Sequence, residues 1–319
     1  MTGGGNLVLV GVLRVTGMGL DQGVAMGLYK YVTADTAKRI LKGSIRFTQP
    51  RAFNDPFELL PQFIVPENTV DHVGRFKFCV ISPRRKGLDR SHTPGDDQFR
   101  SDIQARNIAA NLNSTLGILC LSRNIDSLLM WGHYAGEYSG ALIEFDEGHE
   151  FFTGLNPVKY QKRRPVFNLS DFYDQPVPIS DLCVKSNSWS YEKEVRLVRS
   201  AEDLSDTGKL MNGYPVLTMD IPLECIKSVY IGERMSVENQ KELWRLVKDT
   251  NISLSLAAVA NWDYSFRYEL IKYSGPLTSS PIISPRTAHI FKDDPSQFGE
   301  MARWIIENHK MSEFVNKTC

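Results

Sequence analysis

Cysteines are few in this 319-residue chain, odd in number and widely spaced: Cys79, Cys120, Cys183, Cys225 and Cys319. None of them forms a short paired motif. That argues for a reducing, cytoplasmic setting and against a disulfide framework or a zinc site. An excess of one charge is also missing, because lysine plus arginine and aspartate plus glutamate number 37 each and the formal net charge is zero. No global field draws the chain to nucleic acid or an anionic membrane, so any such role needs a local patch. No apolar run reaches the length of a membrane span. Glycine-rich nucleotide fingerprints, P-loops, nucleophile elbows and metal-spaced histidine pairs are absent, which sets aside kinases, P-loop enzymes, serine hydrolases and zinc hydrolases. Internal repeats are absent too.

What is there suffices for a sizeable core: 42% of the residues are hydrophobic. Residues 1–25 stand apart. Their apolar stretch from Asn6 to Leu20 is broken by Arg14 and lacks a basic lead-in, the pattern of a disordered or misassigned leader, with Met26 as a possible start. Residues 26–274 pattern as one α+β domain. Leu28-Tyr-Lys-Tyr-Val32 alternates as a strand. A helix follows, capped by Thr33 or Asp35, with Ala37, Ile40 and Leu41 inward and Gly43 closing it. Ser44 to Thr48 returns as a strand. Phe53-Asn-Asp-Pro-Phe57 is a turn, either facing a substrate or simply buried. The polar stretch 81–100, with Arg84-Arg-Lys86, has the composition of a mobile loop, and a short helix is expected at 101–112.

Gly117 to Ser122 has the pattern of a buried strand with a polar end. The helix from Leu128 to Ala135 brings Met130 beside His133 and Tyr134. Further strands are expected at 140–146, 158–160, 217–221, 226–231, 252–260 and 268–273, with a helix at 236–248. Residues 275–294, rich in proline, serine and threonine, predict a linker, and 295–319 a C-terminal helical appendage. The most informative stretch is Trp189-Ser-Tyr-Glu-Lys-Glu-Val-Arg-Leu-Val198, which alternates as a strand. That spacing places Tyr191, Val195 and Leu197 on one face and Glu192, Glu194 and Arg196 on the other. Two carboxylates and a guanidinium on one rigid element can build a site, although mixed charges are also ordinary sheet surface.

Leu28-Tyr-Lys-Tyr, Phe53-Asn-Asp-Pro-Phe57, Cys120-Leu-Ser122, Met130-Trp-Gly-His-Tyr-Ala135 and Trp189-Ser-Tyr-Glu-Lys-Glu-Val-Arg196, in this order, resemble the bacterial family known as domain of unknown function 2971. The resemblance runs from about residue 26 to residue 270. More distantly, the first strand, the strand ending in serine and the strand with Glu-x-Glu resemble the ADP-ribosyltransferase fold. That likeness implies a mixed, mostly antiparallel split sheet with flanking helices, and NAD as a substrate with no metal. It implies Glu194 at the ribose, Glu192 toward the acceptor, Ser122 as the middle residue, and Tyr29 or Tyr31 at the nicotinamide. His133 and Tyr134 belong to the first family's signature. Arg196 would orient the glutamates or meet pyrophosphate.

The expected activity is therefore ADP-ribosylation of a macromolecular acceptor, protein or nucleic acid, with a toxin or phage-defence role implied by the resemblance alone. Transfer of function through fold is analogy. The competing expectation is a non-catalytic nucleic-acid or protein-binding module using Arg84-Arg-Lys86 and Lys162-Arg-Arg164. Catalysis requires Tyr31, Ser122, His133 and Glu194 around one cleft; binding requires the two basic runs on one exposed stripe. On the patterned strand, Glu194→Gln is expected to remove a charge and leave the fold intact.

Overall fold

A computed structural model of the chain describes residues 27–64, 96–168, 178–275 and 280–314. The expected leader and the Arg84-Arg-Lys86 run lie outside these residues. Period-two alternation builds β1 (Leu28–Val32), which sends Leu28 and Val32 into one cluster and Tyr29 and Tyr31 into another. Thr33 caps α1 (Ala34–Ile40) by accepting from the Thr36 amide, and Gly43 closes the turn at φ +88°. Then come β2 (Ser44–Phe47), β3 (Gln62–Ile64), α2 (Asp96–Thr115) and β4 (Leu116–Ser122). Ser127 caps α3 (Leu128–Tyr134), which β5 (Ala141–Phe145) follows.

The middle of the chain is made of short pieces: β6 (Leu155–Pro157), β7 (Lys159–Gln161), β8 (Val166–Asn168), α4 (Ile179–Leu182) and β9 (Val184–Ser186). β10 (Glu194–Ser200), β11 (Ser205–Met211), β12 (Tyr214–Asp220) and β13 (Ile226–Gly232) are each seven residues long. After α5 (Val237–Val247) come β14 (Ser253–Val259) and β15 (Phe266–Lys272), then α6 (Ala288–Phe291) and α7 (Gln297–Asn308).

Eight strands form one mixed sheet in the order β15-β14-β13-β5-β1-β4-β10-β6, and a second sheet has the order β11-β12-β2. Within the large sheet only β13 and β14 run parallel. β10 lies one strand in from the edge and pairs with β4 along its whole length, with Glu194 opposite Ser122. β1 and β4 share a single register pair, Tyr29 with Ser122, and β4 then bridges Thr48 at Ile118. The sheet is therefore split beside β4, and this gap positions the site.

Helices α1, α5, α6 and α7 cover one face of the large sheet, where Leu119, Leu121, Val195 and Leu197 join Ile40, Leu243 and Phe291 in the main cluster. The other face carries a smaller aromatic cluster around Trp131, with Tyr31 edge-on to it at 5.5 Å and Phe266 at 5.6 Å. Among the described residues no helix is long and apolar enough to cross a membrane.

The stretch expected as a linker is different from residue 280 onward. The Ile282 amide donates to the Ile271 carbonyl, and Ser284 Oγ donates to Glu269. Ala288 and Phe291 are buried, with the Phe291 ring 5.0 Å from that of Trp244. Proline and serine content reflects the backbone of 280–287, but α6 follows within the same stretch and buries its apolar side chains. Truncation at Gly275 should therefore cost cooperative unfolding or soluble expression. In the full chain, Phe291→Ala should lower stability by about 3–5 kcal/mol in a denaturant titration.

Candidate functional site

The Trp189–Val198 stretch is not one strand. Asn187–Glu192 forms a 3-10 turn, Lys193 is left-handed at φ 42°, and β10 begins only at Glu194. Val195 and Leu197 do face the main cluster, whereas Tyr191 packs beside the aromatic one. Nor is the charged face solvated: Glu192, Glu194 and Arg196 are all buried. Alternation alone cannot distinguish a half-exposed strand from one that buries its charges against further charges.

Those further charges are Lys185, on the short strand just before the turn, and Glu58, far upstream in sequence. Glu194 Oε1 accepts from Arg196 Nε at 2.8 Å and its Oε2 from Lys185 Nζ at 2.8 Å. Lys185 Nζ also donates to Glu192 Oε2 at 2.7 Å. Arg196 Nη1 lies 2.7 Å from Glu58 Oε1, a close ion pair whose angle misses hydrogen-bond geometry. Aromatic rings lie over both cations, Trp189 over Lys185 at 5.2 Å and Phe53 over Arg196 at 5.6 Å. Burial raises the Glu194 pKa, but the charges of Arg196 and Lys185 outweigh it and hold the carboxyl near 2. For Glu58 burial wins and its pKa is raised, while Lys185 is raised because three glutamates overcome its burial.

This cluster floors a cavity of about 280 Å³ in the split between β1 and β4. Tyr29, Tyr31, Ser122, Tyr134, Glu192, Glu194 and Arg196 all line it. His133 does not; it is exposed, with Nδ1 3.1 Å from the Tyr191 hydroxyl. Tyr29, Ser122 and Glu194 stand abreast on three adjoining strands. The Tyr31 hydroxyl is committed to the carbonyls of Asn124 and Ile125. Ser122 Oγ donates to the Glu192 carbonyl at 2.6 Å and accepts from the Asn124 amide, so it anchors the 3-10 turn. Tyr134 donates to Glu192 Oε1 and accepts from Asn54 Nδ2, which brings the Phe53–Phe57 turn to the cavity wall.

Lys185, Glu58, Lys30 and Arg46 also line the cavity, and sequence reasoning passed over all four. Lys30 lies within the quoted Leu-Tyr-Lys-Tyr pattern and Glu58 directly follows the Phe53–Phe57 turn, so proximity to a recognised motif was the available signal. Lys185 and Arg46 carry no such mark. Lys162-Arg-Arg164 lines a second cavity of about 230 Å³ that shares Lys185 with the first. Arg84-Arg-Lys86 lies outside the described residues, so the expected basic stripe has only one end here. Among the described residues, no group of three or more His, Cys, Asp or Glu is placed to hold a metal ion.

The cluster reverses the expectation for Glu194→Gln. The substitution strips a buried partner from both Lys185 and Arg196, and breaking such a pair costs about 3–5 kcal/mol. Because the folded pKa of Glu194 is depressed, its contribution is fully present above about 4.5 and is lost as pH falls toward 2. Glu58, raised by burial, works in the opposite sense. Urea melts of wild type and Glu194→Gln between pH 6 and 2 should therefore converge at the acid end; a gap that stays constant with pH would remove the charge-based account.

No curated protein and no solved structure matches the chain. Residues 130–197 match the family described as "Protein of unknown function (DUF2971)". That segment carries the Met130–Ala135 and Trp189–Arg196 motifs, and the three earlier motifs fall outside it. The part of the chain that supplies Tyr134, Lys185, Glu192, Glu194 and Arg196 is thus the part similar to this family.

Proposed function

We propose that the cavity binds the ribosyl end of NAD and transfers ADP-ribose to a macromolecular acceptor, as the ADP-ribosyltransferase likeness implies. The observation that carries this reading is the row Tyr29–Ser122–Glu194 across three adjoining strands, with Glu192 beside it in the same cavity. Its volume of about 280 Å³ is near the lower end of ligand pockets, suited to a nucleoside-sized group and not to a whole dinucleotide.

Cleavage of the nicotinamide–ribose bond leaves the bonding electron pair on the nicotinamide nitrogen and positive charge at ribose C1′, as in glycoside cleavage. Glu194, held ionised by Arg196 and Lys185, supplies a fixed negative charge there without reorganisation. Tyr29 and Tyr134 offer aromatic walls for the leaving ring. The acceptor nucleophile attacks C1′ and its proton passes to Glu192, whose carboxylate sits on a turn between Tyr134 and Lys185. Ser122 positions that turn through the Glu192 carbonyl. His133, outside the cavity, acts on the site through its contacts with Tyr191 and Tyr134.

A non-catalytic reading draws on one observation: every carboxylate of the cluster already has a cationic partner, as in a purely structural network. Labelled NAD incubated with the protein and cell extract separates the two. Ribosyl transfer requires nicotinamide release and label in macromolecules. At a temperature where the variant is folded, Glu194→Gln should slow release about 10²–10³-fold. Glu192→Gln should impair labelling more than release. A folded Glu194→Gln variant with full turnover, or a wild type that releases no nicotinamide, would sink the proposal.

A further inference from the structure

Lys185 and Arg196 pair with the three glutamates, yet the same cavity is lined by two more cations, Lys30 and Arg46. Neither has a carboxylate partner among the described residues. Lys30 Nζ reaches into the split and donates to the Cys120 carbonyl at 2.9 Å. Arg46, on β2, has a buried Nε with no hydrogen-bond partner, while its Nη1 meets only the Met211 sulfur. Arg39 adds a like charge near Arg46. The carboxylate whose charge reaches Lys30 is Glu194, and both its oxygens are taken by Arg196 and Lys185. Burial lowers the pKa of both Lys30 and Arg46, the condition of cations that lack a counter-ion.

The split sheet sets the spacing. Cys120, whose carbonyl receives Lys30, lies two residues along β4 from Ser122, roughly 6.5–7 Å. Thr48 bridges Ile118 in the antiparallel sense, which sets Arg46, two residues earlier, at the level of Cys120 as well. The cavity therefore has a carboxylate end at the Tyr29–Ser122–Glu194 row and a cationic end at Lys30 and Arg46. We infer that Lys30 and Arg46 form an oxyanion subsite that takes a phosphate group of the substrate. An arginine fork and a lysine ammonium together match a multiply charged phosphate, and a buried guanidinium nitrogen gains an acceptor it now lacks. This rests on the reading of the cavity as a ribosyl site: a sugar at Glu194 would direct its 5′-phosphate along β4 to the cationic end.

Titration calorimetry with inorganic pyrophosphate at low salt tests the subsite directly, with melting curves on every protein. Wild type should bind. Arg46→Gln and Lys30→Met should each weaken binding about ten- to a hundredfold, the equivalent of one charge-assisted bond. Arg46→Lys, which keeps the charge, should weaken it less than Arg46→Gln. Citrate, a carboxylate anion, should bind more weakly than pyrophosphate. Affinity unmoved by Arg46→Gln and Lys30→Met overturns the subsite, as does citrate binding equal to pyrophosphate or no binding by wild type at millimolar concentration. Nicotinamide release on the same preparations keeps the two proposals apart. Pyrophosphate binding through Arg46 without any release leaves the subsite standing and discards ribosyl transfer; release whose KM for NAD is unmoved by Arg46→Gln does the reverse.

Discussion

The structure depends on the burial of charge where four chain segments meet. Glu58 comes from the turn after Phe53–Phe57, Lys185 from β9, Glu192 from the 3-10 turn, and Glu194 and Arg196 from β10. Desolvating such groups costs several kcal/mol per ion, and their mutual attraction offsets this only with close geometry and full hydrogen bonding. Three carboxylates face two cations, and burial raises the pKa of the Glu58 carboxyl against the pull of Arg196 and Lys185. The segments also share an apolar cluster in which Phe53, Leu59, Leu182 and Val198 pack together, so charge and apolar contact fix them jointly.

The same strands serve two purposes by face. Leu119, Leu121, Val195 and Leu197 build the main core on one side, while Ser122, Glu194 and Arg196 line the cavity on the other. Period two makes this division automatic. What it does not dictate is the split beside β4. Once β1 has paired at Tyr29 it diverges, and the gap admits Lys30 from a strand whose Leu28 and Val32 belong to the opposite face.

Much of this was legible in the sequence, and unevenly so. The terminal residues of alternating segments located β1, β4 and β5 well, and Ser236 caps the helix it precedes, whereas the last helix starts at Gln297 with Ser296 as its cap and not at Pro295. Seven of the eight candidate site residues line one cavity, because short motifs recorded positions that the fold assembles. Two things were hidden. Lys185 is a single lysine in an unremarkable stretch, and although Glu192 and Glu194 follow it by only seven and nine residues, the 3-10 turn that folds them back onto it leaves no mark in the alternation. The tail was misjudged for the opposite reason: composition describes backbone regularity, whereas burial of Ala288 and Phe291 depends on what surface is available to cover.

The left-handed residue Lys193 separates the two glutamates mechanically as well as geometrically. Glu194 is held by the ladder of β10 against β4, so its carboxylate moves only if the sheet does. Glu192 sits on a short turn tied to the end of β4 and the residues after it by Ser122, Arg123 and Asn124, and by its own side chain to Tyr134 and Lys185. One carboxylate thus takes its position from the sheet and the other from a loop strapped to the end of the neighbouring strand, with the left-handed turn at Lys193 joining the two frames.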